Sequence, residues 1–514
     1  MLIRDARVWP SAETVADVRI AAGRVVECRP GLRAVAGEEE IDAAGRALLP
    51  GLHDHHIHLR ALAAARASVQ VGPERVRSAA ELAARLREAD AAAPAGAWLR
   101  CVGYHESVAG PLDRWALDRL LTDPARPDGS GRPSRPVRVQ HRTGGLWVVN
   151  SDALAALGLD GGGHRGDGGG DLAVDQAGDL AGDLAGDLAG VERDGDGRAT
   201  GRLWRMDRWL ADRVPARPAD LDAGLASVSA RAAALGVTGF TDATPGATGP
   251  DIAGLAAAVA DETIAQRLRC MAQPDVSWPA GGRFSIGPVK IMLDDDTLPS
   301  LDSLADSVRR AHGAGRTVAV HCVTRVQLVL TLAALDAAGR ATGDRIEHGA
   351  VLPAELVPAL RGLTVVSQPH FVAERGEQYG RDVAPEDLPD LWRLRSLIDA
   401  GVAVAAGSDA PFGGADPWAV MRAATRRPAL LGPGEAIVPE TAIGLFLGDP
   451  VAPAAARVIA PGAVADLVLL RCPPGEAARS LRSDLVAVTI IDGVVVYRAD
   501  DGADAGVGVD AGAG

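Results

Sequence analysis

The sequence contains one lysine, Lys290, and its other 52 basic residues are arginines. Cysteine is also scarce, and the five cysteines follow no paired spacing: Cys28, Cys101, Cys270, Cys322 and Cys472. An odd, scattered set argues against a disulfide framework or a thiolate zinc site, and it predicts a reducing, cytoplasmic location. No stretch reaches the roughly 18 uninterrupted apolar residues of a membrane span, and residues 1–7 contain no apolar signal-peptide core. We therefore expect a soluble protein without a membrane partner.

The sequence also lacks the basic patches that nucleic-acid binding requires. Its net charge is −14, but residues 160–198 contribute −7 and the tail from Asp500 adds four more acidic residues. The remainder carries only about −3, an ordinary balance for a globular protein. We expect a small-molecule substrate rather than a nucleic acid, and leave assembly into a homo-oligomer open. A chain of 514 residues that is 47% hydrophobic predicts two domains, or a large barrel with an accessory domain.

A low-complexity segment covers residues 161–190. It begins with a run of glycines and continues with Ala-Gly-Asp-Leu three times in tandem, from Ala177 to Leu188. A calcium-binding repeat is one interpretation, but the four-residue period differs from the nine-residue period of calcium β-rolls. The composition favours a disordered, solvated insertion, and the same prediction applies to residues 499–514.

Both ends of the chain read as short strands joined by turns. Val18–Cys28 and Val486–Tyr497 each centre on a tight turn, and Asp492-Gly493 is a strong hairpin signal. Ala465–Leu470 adds another strand. These patterns predict that residues 1–49 and 455–498 pair into a small accessory β-sandwich domain.

The middle of the chain, residues 50–454, alternates β-prone runs with alanine- and leucine-rich helical stretches. Eight runs are predicted as strands: 46–58, 237–243, 267–272, 288–293, 317–322, 344–349, 364–369 and 402–409. Repeated βα units imply a parallel sheet, and eight of them predict an α/β fold of the (β/α)₈ TIM-like barrel type. The first connection is much longer than the others, and we interpret about 95–215 as an insertion or lid.

Histidine and other chemically active residues recur at the ends of the predicted strands. In a parallel barrel these carboxyl ends converge on one active site. His56 and His58 lie two apart, so both imidazoles point to the same side of a strand, and imidazole suits zinc and similar divalent metals. The complete set of candidate metal ligands is His56, His58, Lys290, His321, His348 and Asp409.

Lys290 is informative because the sequence otherwise uses arginine for positive charge. A lysine that supplied only charge or solubility should have been replaced in such a chain. Lysine can lose its proton when buried, whereas arginine cannot. The neutral amine can then act as a nucleophile, or it can add carbon dioxide and become a carbamate that bridges two metal ions.

The ordered set of motifs resembles the amidohydrolase superfamily, in the branch called amidohydrolase family 3 that includes N-substituted formamide deformylase. The matching segments are Pro50–His58, Val289–Asp294, Val320-His321, Arg345–His348, Gly407–Pro411, Asp416–Trp418, Trp147–Leu154 and Pro461–Leu470. The resemblance implies a binuclear centre holding two divalent ions, expected to be zinc. His56 and His58 would bind one ion, His321 and His348 the other, and carbamylated Lys290 would bridge them. Asp409 would bind metal and move protons.

Other features of the resemblance concern the surroundings of the metals. Asp54 matches the family's Asp-x-His-x-His pattern and is expected to orient an imidazole. Two departures stand out: related members often have Asp-Gly-His where this chain has His141-Arg142-Thr-Gly-Gly, and His53 and His55 have no obvious counterpart.

The expected chemistry is hydrolysis of a C–N bond in an amide, formamide or cyclic amide by a metal-bound hydroxide. Asp409 would accept the proton of the attacking water and pass it to the leaving nitrogen. Candidate substrate contacts on loops at the same face are Tyr104, His105, Arg142 and His370.

Three alternatives remain open. A mononuclear deaminase would use His56, His58, His321 and Asp409, with His348 near the substrate, but would give Lys290 no role. An ester, lactone or phosphoester hydrolase would use the same centre. A non-catalytic scaffold is disfavoured because all six ligand positions are filled.

Overall fold

A computed structural model describes residues 1–514 except 12, 14, 95, 123–134, 161–187, 215–217, 280 and 501–514. The chain has an α/β fold and divides into two compact units, the first made of Met1–Leu62 with Leu225–Gly514 and the second of Ala63–Gly224. The insertion predicted at about 95–215 falls within the second unit. Most of the predicted disordered segment, and all but two residues of the predicted tail, lie outside the described residues.

Strands and helices alternate along most of the chain. The strands are Leu2–Val8 (β1), Val15–Ala21 (β2), Arg24–Arg29 (β3), Glu40–Asp42 (β4), Ala47–Pro50 (β5), Leu52–Ile57 (β6), Val69–Gln70 (β7), Leu99–Tyr104 (β8), Val137–His141 (β9), Leu146–Val149 (β10), Val191–Arg193 (β11), Ala199–Trp204 (β12), Val237–Asp242 (β13), Arg267–Cys270 (β14), Phe284–Ile286 (β15), Val289–Ile291 (β16), Val318–Cys322 (β17), Arg345–His348 (β18), Thr364–Ser367 (β19), Ala403–Ala406 (β20), Leu467–Leu470 (β21), Val486–Ile491 (β22) and Val494–Arg498 (β23). The α-helices are Leu59–Arg66 (α1), Ala79–Ala92 (α2), Glu106–Ala109 (α3), Arg114–Leu121 (α4), Ser151–Ala156 (α5), Asp207–Ala211 (α6), Pro218–Ala234 (α7), Gly249–Ala260 (α8), Leu301–Gly313 (α9), Arg325–Ala338 (α10), His370–Asp382 (α11), Arg395–Asp399 (α12), Pro417–Thr425 (α13), Pro439–Gly444 (α14) and Pro474–Ser480 (α15). Short 3₁₀ helices cover Asp295–Thr297, Ala354–Leu360, Leu388–Asp390, Pro433–Glu435 and Ser483–Leu485. Among the described residues, no helix is both long and apolar enough to cross a membrane.

The two chain ends pair into one sheet in the first unit. Its order is β23-β22-β21-β5-β1-β2-β3, with β4 beside β1, and the ends meet where β21 runs antiparallel to β5. The two predicted hairpins are present as β2–β3 and β22–β23. Its core contains Ile3, Leu48, Leu467 and Ile490, all almost fully buried. The described strands thus form one eight-stranded sheet, and the predicted sandwich is not confirmed.

The remaining strands of the first unit form two parallel sheets. One has the order β15-β14-β13-β6 and the other the order β16-β17-β18-β19-β20. Every residue of β6, β13 and β18 is buried, as expected where helices cover both faces of a parallel sheet. Seven of the eight predicted strands each correspond to one of these nine, and β15 is the addition. The first predicted strand, 46–58, is divided between β5 of the chain-end sheet and β6.

The chain passes from one parallel sheet to the other at Gly287 and Pro288. The Gly287 amide donates to the Cys270 carbonyl at 2.6 Å, which continues the pairing of β15 with β14. The Val289 amide donates to the Thr317 carbonyl at 2.8 Å, on the side of β17. Pro288 between them has no amide hydrogen to give either sheet. The parallel strands therefore divide into four and five, and a closed barrel is not confirmed.

The second unit has its own six-stranded sheet in the order β11-β12-β10-β9-β8-β7. Strands β7, β8 and β9 are parallel, whereas β9, β10, β12 and β11 are antiparallel. The Asn150 side chain ties the end of β10 to the start of β9, since its Oδ1 accepts from the Val137 amide and its Nδ2 donates to the Arg135 carbonyl. At the described end of the low-complexity segment, Leu188 packs against the core and the Gly190 carbonyl accepts from Trp204.

Candidate metal centre

Strand β6 carries the first two candidate ligands to the edge of its sheet. His56 lies in the strand and His58 just beyond it, and their ring centroids are 5.3 Å apart. The chain after β20 runs alongside, since the Asp409 amide donates to the His56 carbonyl at 2.7 Å and the His58 amide donates to Ala410 at 2.9 Å. These two hydrogen bonds bring Asp409 next to both imidazoles, although Asp409 is 351 residues from His58 in the sequence.

His56, His58 and Asp409 form a compact buried cluster. Asp409 Oδ1 lies 3.1 Å from His58 Nε2 and 3.5 Å from His56 Nε2. The three ligand atoms that these side chains offer all lie within 4.8 Å of one another. Two imidazoles and one carboxylate are a ligand set that zinc and related divalent metals use in hydrolytic enzymes.

The other two candidate histidines continue the same cluster. The His348 ring lies 4.7 Å from the His56 ring and 4.6 Å from the His321 ring, measured between centroids. His348 Nδ1 is 2.8 Å from Gln368 Oε1, which leaves its Nε2 available as a ligand. The structure therefore brings together all four histidines predicted from the strand ends.

Lys290 lies on β16, next to β17 in the five-stranded sheet. Its Nζ atom is buried and makes no hydrogen bond to the described residues. Burial lowers the pKa of Lys290 to about 8, although the nearby carboxylates of Glu347 and Asp409 oppose that shift. A buried amine with a lowered pKa is more easily converted to the neutral, nucleophilic form.

Two atoms at this site lack the partners that buried polar groups normally have. His56 Nε2 and Lys290 Nζ are both buried and unbonded. Leaving a buried polar atom unpaired costs about 1–3 kcal/mol, so such atoms call for an explanation. A divalent metal beside His56 Nε2 would satisfy the first, and a carbamate on the amine would satisfy the second. The residues present thus fit a metal centre.

Glu347 is a member of this site that the sequence analysis missed. Its Oε2 hydrogen-bonds to His56 Nδ1, and its Oε1 accepts a hydrogen bond from Arg345 Nε. A carboxylate on Nδ1 fixes the ring so that Nε2 faces Asp409, as second carboxylates commonly do at metal-binding histidines. A signal was present, because Arg345 and Glu347 are charged residues two apart in a strand that reads as buried.

The backbone and charge state of the site are set by its surroundings. Burial raises the pKa of Asp54 to about 6, and its Oδ1 accepts from the backbone amides of His56 and Ser408. Asp54 therefore holds the main chain beside the candidate ligands. Burial also raises the pKa of Asp409, but the hydrogen bond from His58 and the other imidazoles outweigh it and leave that pKa below its ordinary value. Asp409 adopts a left-handed backbone at φ 52°, an arrangement often found at functional sites.

His53 and His55 point to the other side of β6 and face each other. Their ring centroids are 4.6 Å apart, both residues are buried, and His53 Nε2 lies 2.9 Å from Thr241 Oγ1. Alternation along the strand separates them from the cluster that contains His56.

The predicted substrate contacts fall in both units. His370 is buried at the start of α11, and burial lowers its pKa to about 4, so the ring is neutral at neutral pH. A Cβ atom at Gly413 would lie 2.3 Å from His370 Nε2, so only glycine leaves room for this ring. Tyr104, His105 and Arg142 belong to the second unit, where the Tyr104 hydroxyl donates to the Gly110 carbonyl.

Comparison with known proteins agrees with this chemistry. Residues 39–497 match the profile described as "Amidohydrolase family". N-substituted formamide deformylase of Arthrobacter pascens is 25% identical over 96% of this chain and 99% of its own length. The putative amidohydrolase YtcJ of Bacillus subtilis (strain 168) is 25% identical over 76% of this chain and 75% of its own. An uncharacterized metal-dependent hydrolase from Pyrococcus horikoshii has a similar fold, with a TM-score of 0.69 at 17% identity over 92% of this chain and 97% of that one.

The fold and the histidine–carboxylate cluster define a hydrolytic enzyme. Because the family profile covers most of the sequence, the chain belongs to the amidohydrolase family. The resemblance inferred from the strand-end motifs is confirmed.

Proposed function

We propose that this protein is a metal-dependent hydrolase that cleaves a C–N bond in an amide, formamide or cyclic amide. The observation that carries the proposal is the buried cluster of His56, His58 and Asp409, whose ligand atoms lie within 4.8 Å of one another. The relative from Arthrobacter pascens is named a deformylase of N-substituted formamides, which supports this substrate class. The proposed fold is a closed (β/α)₈ barrel with an accessory β-sandwich. Closure of the barrel would explain why the strand ends converge on one site.

The proposed centre holds two zinc ions. His56 and His58 would bind one ion, His321 and His348 the other, and Asp409 would contribute its carboxylate. Lys290 would bridge them as a carbamate: its neutral Nζ would add to the carbon of carbon dioxide, one C=O bond would become a C–O⁻ single bond, and one N–H proton would be released. When bound, the metals would lower the pKa of water and polarise the substrate carbonyl. The Lys290 Nζ atom is buried and makes no hydrogen bond to the described residues, which supports this role.

Asp409 is the proposed proton carrier. Its carboxylate lies against two imidazoles, which keep its pKa low and hold it ionised. It would accept the proton of the attacking water and deliver it to the leaving nitrogen, and such positioned acid–base groups contribute roughly 10²–10⁴-fold. Asp54 accepts a hydrogen bond from the Ser408 amide and so positions the segment that carries Asp409. His370, buried at the start of α11, would contact the substrate.

A mononuclear deaminase is a second candidate, and one observation favours it. The tight three-residue cluster contains His56, His58 and Asp409, enough ligands for one ion, and does not include His348. In that reaction His321 would be the remaining ligand, and His348 would lie near the substrate. The isolated buried amine of Lys290 has no part in such a site, which is why the binuclear centre is preferred.

The test is a substrate screen of purified, metal-loaded protein. N-formyl, N-acyl, cyclic-amide, aminated-ring and ester compounds are compared, with Asp409→Asn as the matched inactive variant. The proposal expects turnover of amide-type compounds that Asp409→Asn lowers by about 10²–10⁴-fold. Ammonia release from ring amines would instead identify a deaminase, and turnover confined to esters would contradict C–N cleavage.

The scattered, unpaired cysteines suit a cytoplasmic location.

A further inference from the structure

The second unit brings a second set of metal-binding side chains to one edge of its sheet. Strands β8 and β9 are parallel, and Tyr104 at the end of β8 is in register with His141 at the end of β9. The Arg142 amide donates to the Tyr104 carbonyl at 2.8 Å, which continues this pairing past the strand end. His105 and Glu106 directly follow Tyr104, so they lie beside His141.

His105, Glu106 and His141 approach each other as metal ligands do. Their offered ligand atoms all lie within 4.8 Å of one another, and His141 Nε2 is 2.9 Å from Glu106 Oε2. The two imidazole centroids are 5.7 Å apart, with a tilt of 36° between the rings. Two histidines and one glutamate form a recognised zinc-binding set.

Both imidazoles are held by the same local device. His105 Nδ1 lies 2.9 Å from Ser107 Oγ, and His141 Nδ1 lies 2.8 Å from Thr143 Oγ1. In each case a hydroxyl two residues further along the chain engages Nδ1. The Ser107 and Thr143 amides also donate to these Nδ1 atoms, at 3.2 and 3.3 Å, so each ring is fixed in one orientation. The same hydroxyl-to-Nδ1 contact thus occurs at two separate strand ends, and a single surface ion pair would not require it.

The charges around the cluster also suit a cation. Glu106 supplies a carboxylate whose Oε2 lies 2.9 Å from His141 Nε2. The neighbouring cation Arg142 is engaged by Glu74, with 3.0 Å between Nη2 and Oε1.

We propose that His105, Glu106 and His141 form a second site for a divalent transition metal such as zinc, built entirely within the second unit. The site uses none of the side chains assigned to the hydrolytic centre. Three protein ligands leave a position for water or another donor, as at other three-ligand zinc sites.

The test counts zinc ions bound per chain by elemental analysis of zinc-equilibrated full-length protein. Wild type should bind one equivalent more than Glu106→Gln, which keeps the shape of the side chain but removes its charge. His141→Gln should show the same loss, and Thr143→Val should weaken this site about 10–100-fold because the ring loses its orienting hydroxyl. Circular dichroism verifies that each variant is folded.

His312→Gln is the matched control. His312 also pairs with a carboxylate, with 3.0 Å between its Nε2 and Asp344 Oδ1, but among the described residues it belongs to no group of three such ligands. It should retain the wild-type metal content. Equal zinc content in wild type, folded Glu106→Gln and folded His141→Gln would overturn the proposal. Should His141→Gln fail to fold, the nearly isosteric Glu106→Gln decides the result alone.

Discussion

Glu347 hydrogen-bonds through Oε2 to Nδ1 of His56, although the two residues lie in different parallel sheets. Both side chains are fully buried. The contact holds one imidazole of the candidate centre from behind, and its other nitrogen faces Asp409 at 3.5 Å. A ring held in this way has one tautomer and one orientation available to a metal.

We therefore predict that Glu347→Gln lowers metal affinity by about 10–100-fold without removing any ligand. Competition with a chromogenic chelator measures that affinity. Glu355→Gln is the matched control, since Glu355 is an exposed carboxylate that contacts Arg325 at 3.2 Å. The control should behave as wild type. Equal affinities for wild type and Glu347→Gln would show that the contact does not orient the ring.

Local patterns predicted most of the secondary structure. The predicted strand 317–322 corresponds to β17, and the predicted strand 364–369 corresponds to β19. Asp492-Gly493 marks the turn between β22 and β23, where Gly493 adopts a positive φ of 78°. These features depend on residues close together in the chain. The same is true of the candidate ligands His56 and His58, because side chains two apart on a strand point to the same face.

Features that depend on distant residues were missed. The pairing of His56 with Glu347 joins positions 291 residues apart, and no local periodicity encodes it. At Pro288 the chain passes from one parallel sheet to the other, because the residues on its two sides pair with different strands. Local composition does not show which strands will pair. The cluster of Glu106 with His141 likewise follows from the register of two parallel strands.

Removing metal should abolish hydrolysis, and restoring it should define the stoichiometry of the centre. The Glu106→Gln variant is used for this count, because the second proposed site is then disabled. Two equivalents of zinc should restore full turnover after chelator treatment, since six ligands are available for two ions. Titration of activity against added zinc measures the endpoint. Full activity at one equivalent would favour the mononuclear deaminase.

Glu435 should stabilise the fold in a pH-dependent way. Burial raises its pKa, but hydrogen bonds from Ser396 and Leu394 and the charge of Arg393 outweigh burial and leave the pKa below 4.5. The ionised group is therefore favoured in the folded state. Its contribution is complete well above pH 4.5 and is lost as the pH falls through the lowered value.

Glu435→Gln should lower the free energy of unfolding by about 2 kcal/mol at neutral pH, because a charge-assisted bond to Arg393 is lost. The difference from wild type should shrink as the pH falls below 4.5, where wild type also becomes protonated. Urea unfolding at several pH values measures this difference. Glu440→Gln at an exposed position is the control and should change little. A difference independent of pH would contradict the role of the charge.

Lys290 provides the sharpest test of a bridged centre. Lys290 is the only lysine in the sequence. Its amine is buried and makes no hydrogen bond to the described residues. If Lys290 bridges two ions as a carbamate, the site needs a carboxylate at this position. Lys290→Arg would place a permanent cation between two dications, so the second ion should not bind.

Lys290→Ala should also lose metal and activity, but it leaves space that a short carboxylic acid can fill. Added acetate or propionate should therefore partly restore the activity of Lys290→Ala, whereas Lys290→Arg should stay inactive. Turnover and zinc content are measured for both variants across a series of carboxylate concentrations, with sodium chloride at equal ionic strength as the control. The carbamate itself would add about 44 Da to the chain in native mass analysis, because one carbon dioxide is incorporated. Two bound ions and near-native turnover in Lys290→Arg would contradict the bridge, since arginine cannot form a carbamate and cannot lose its charge.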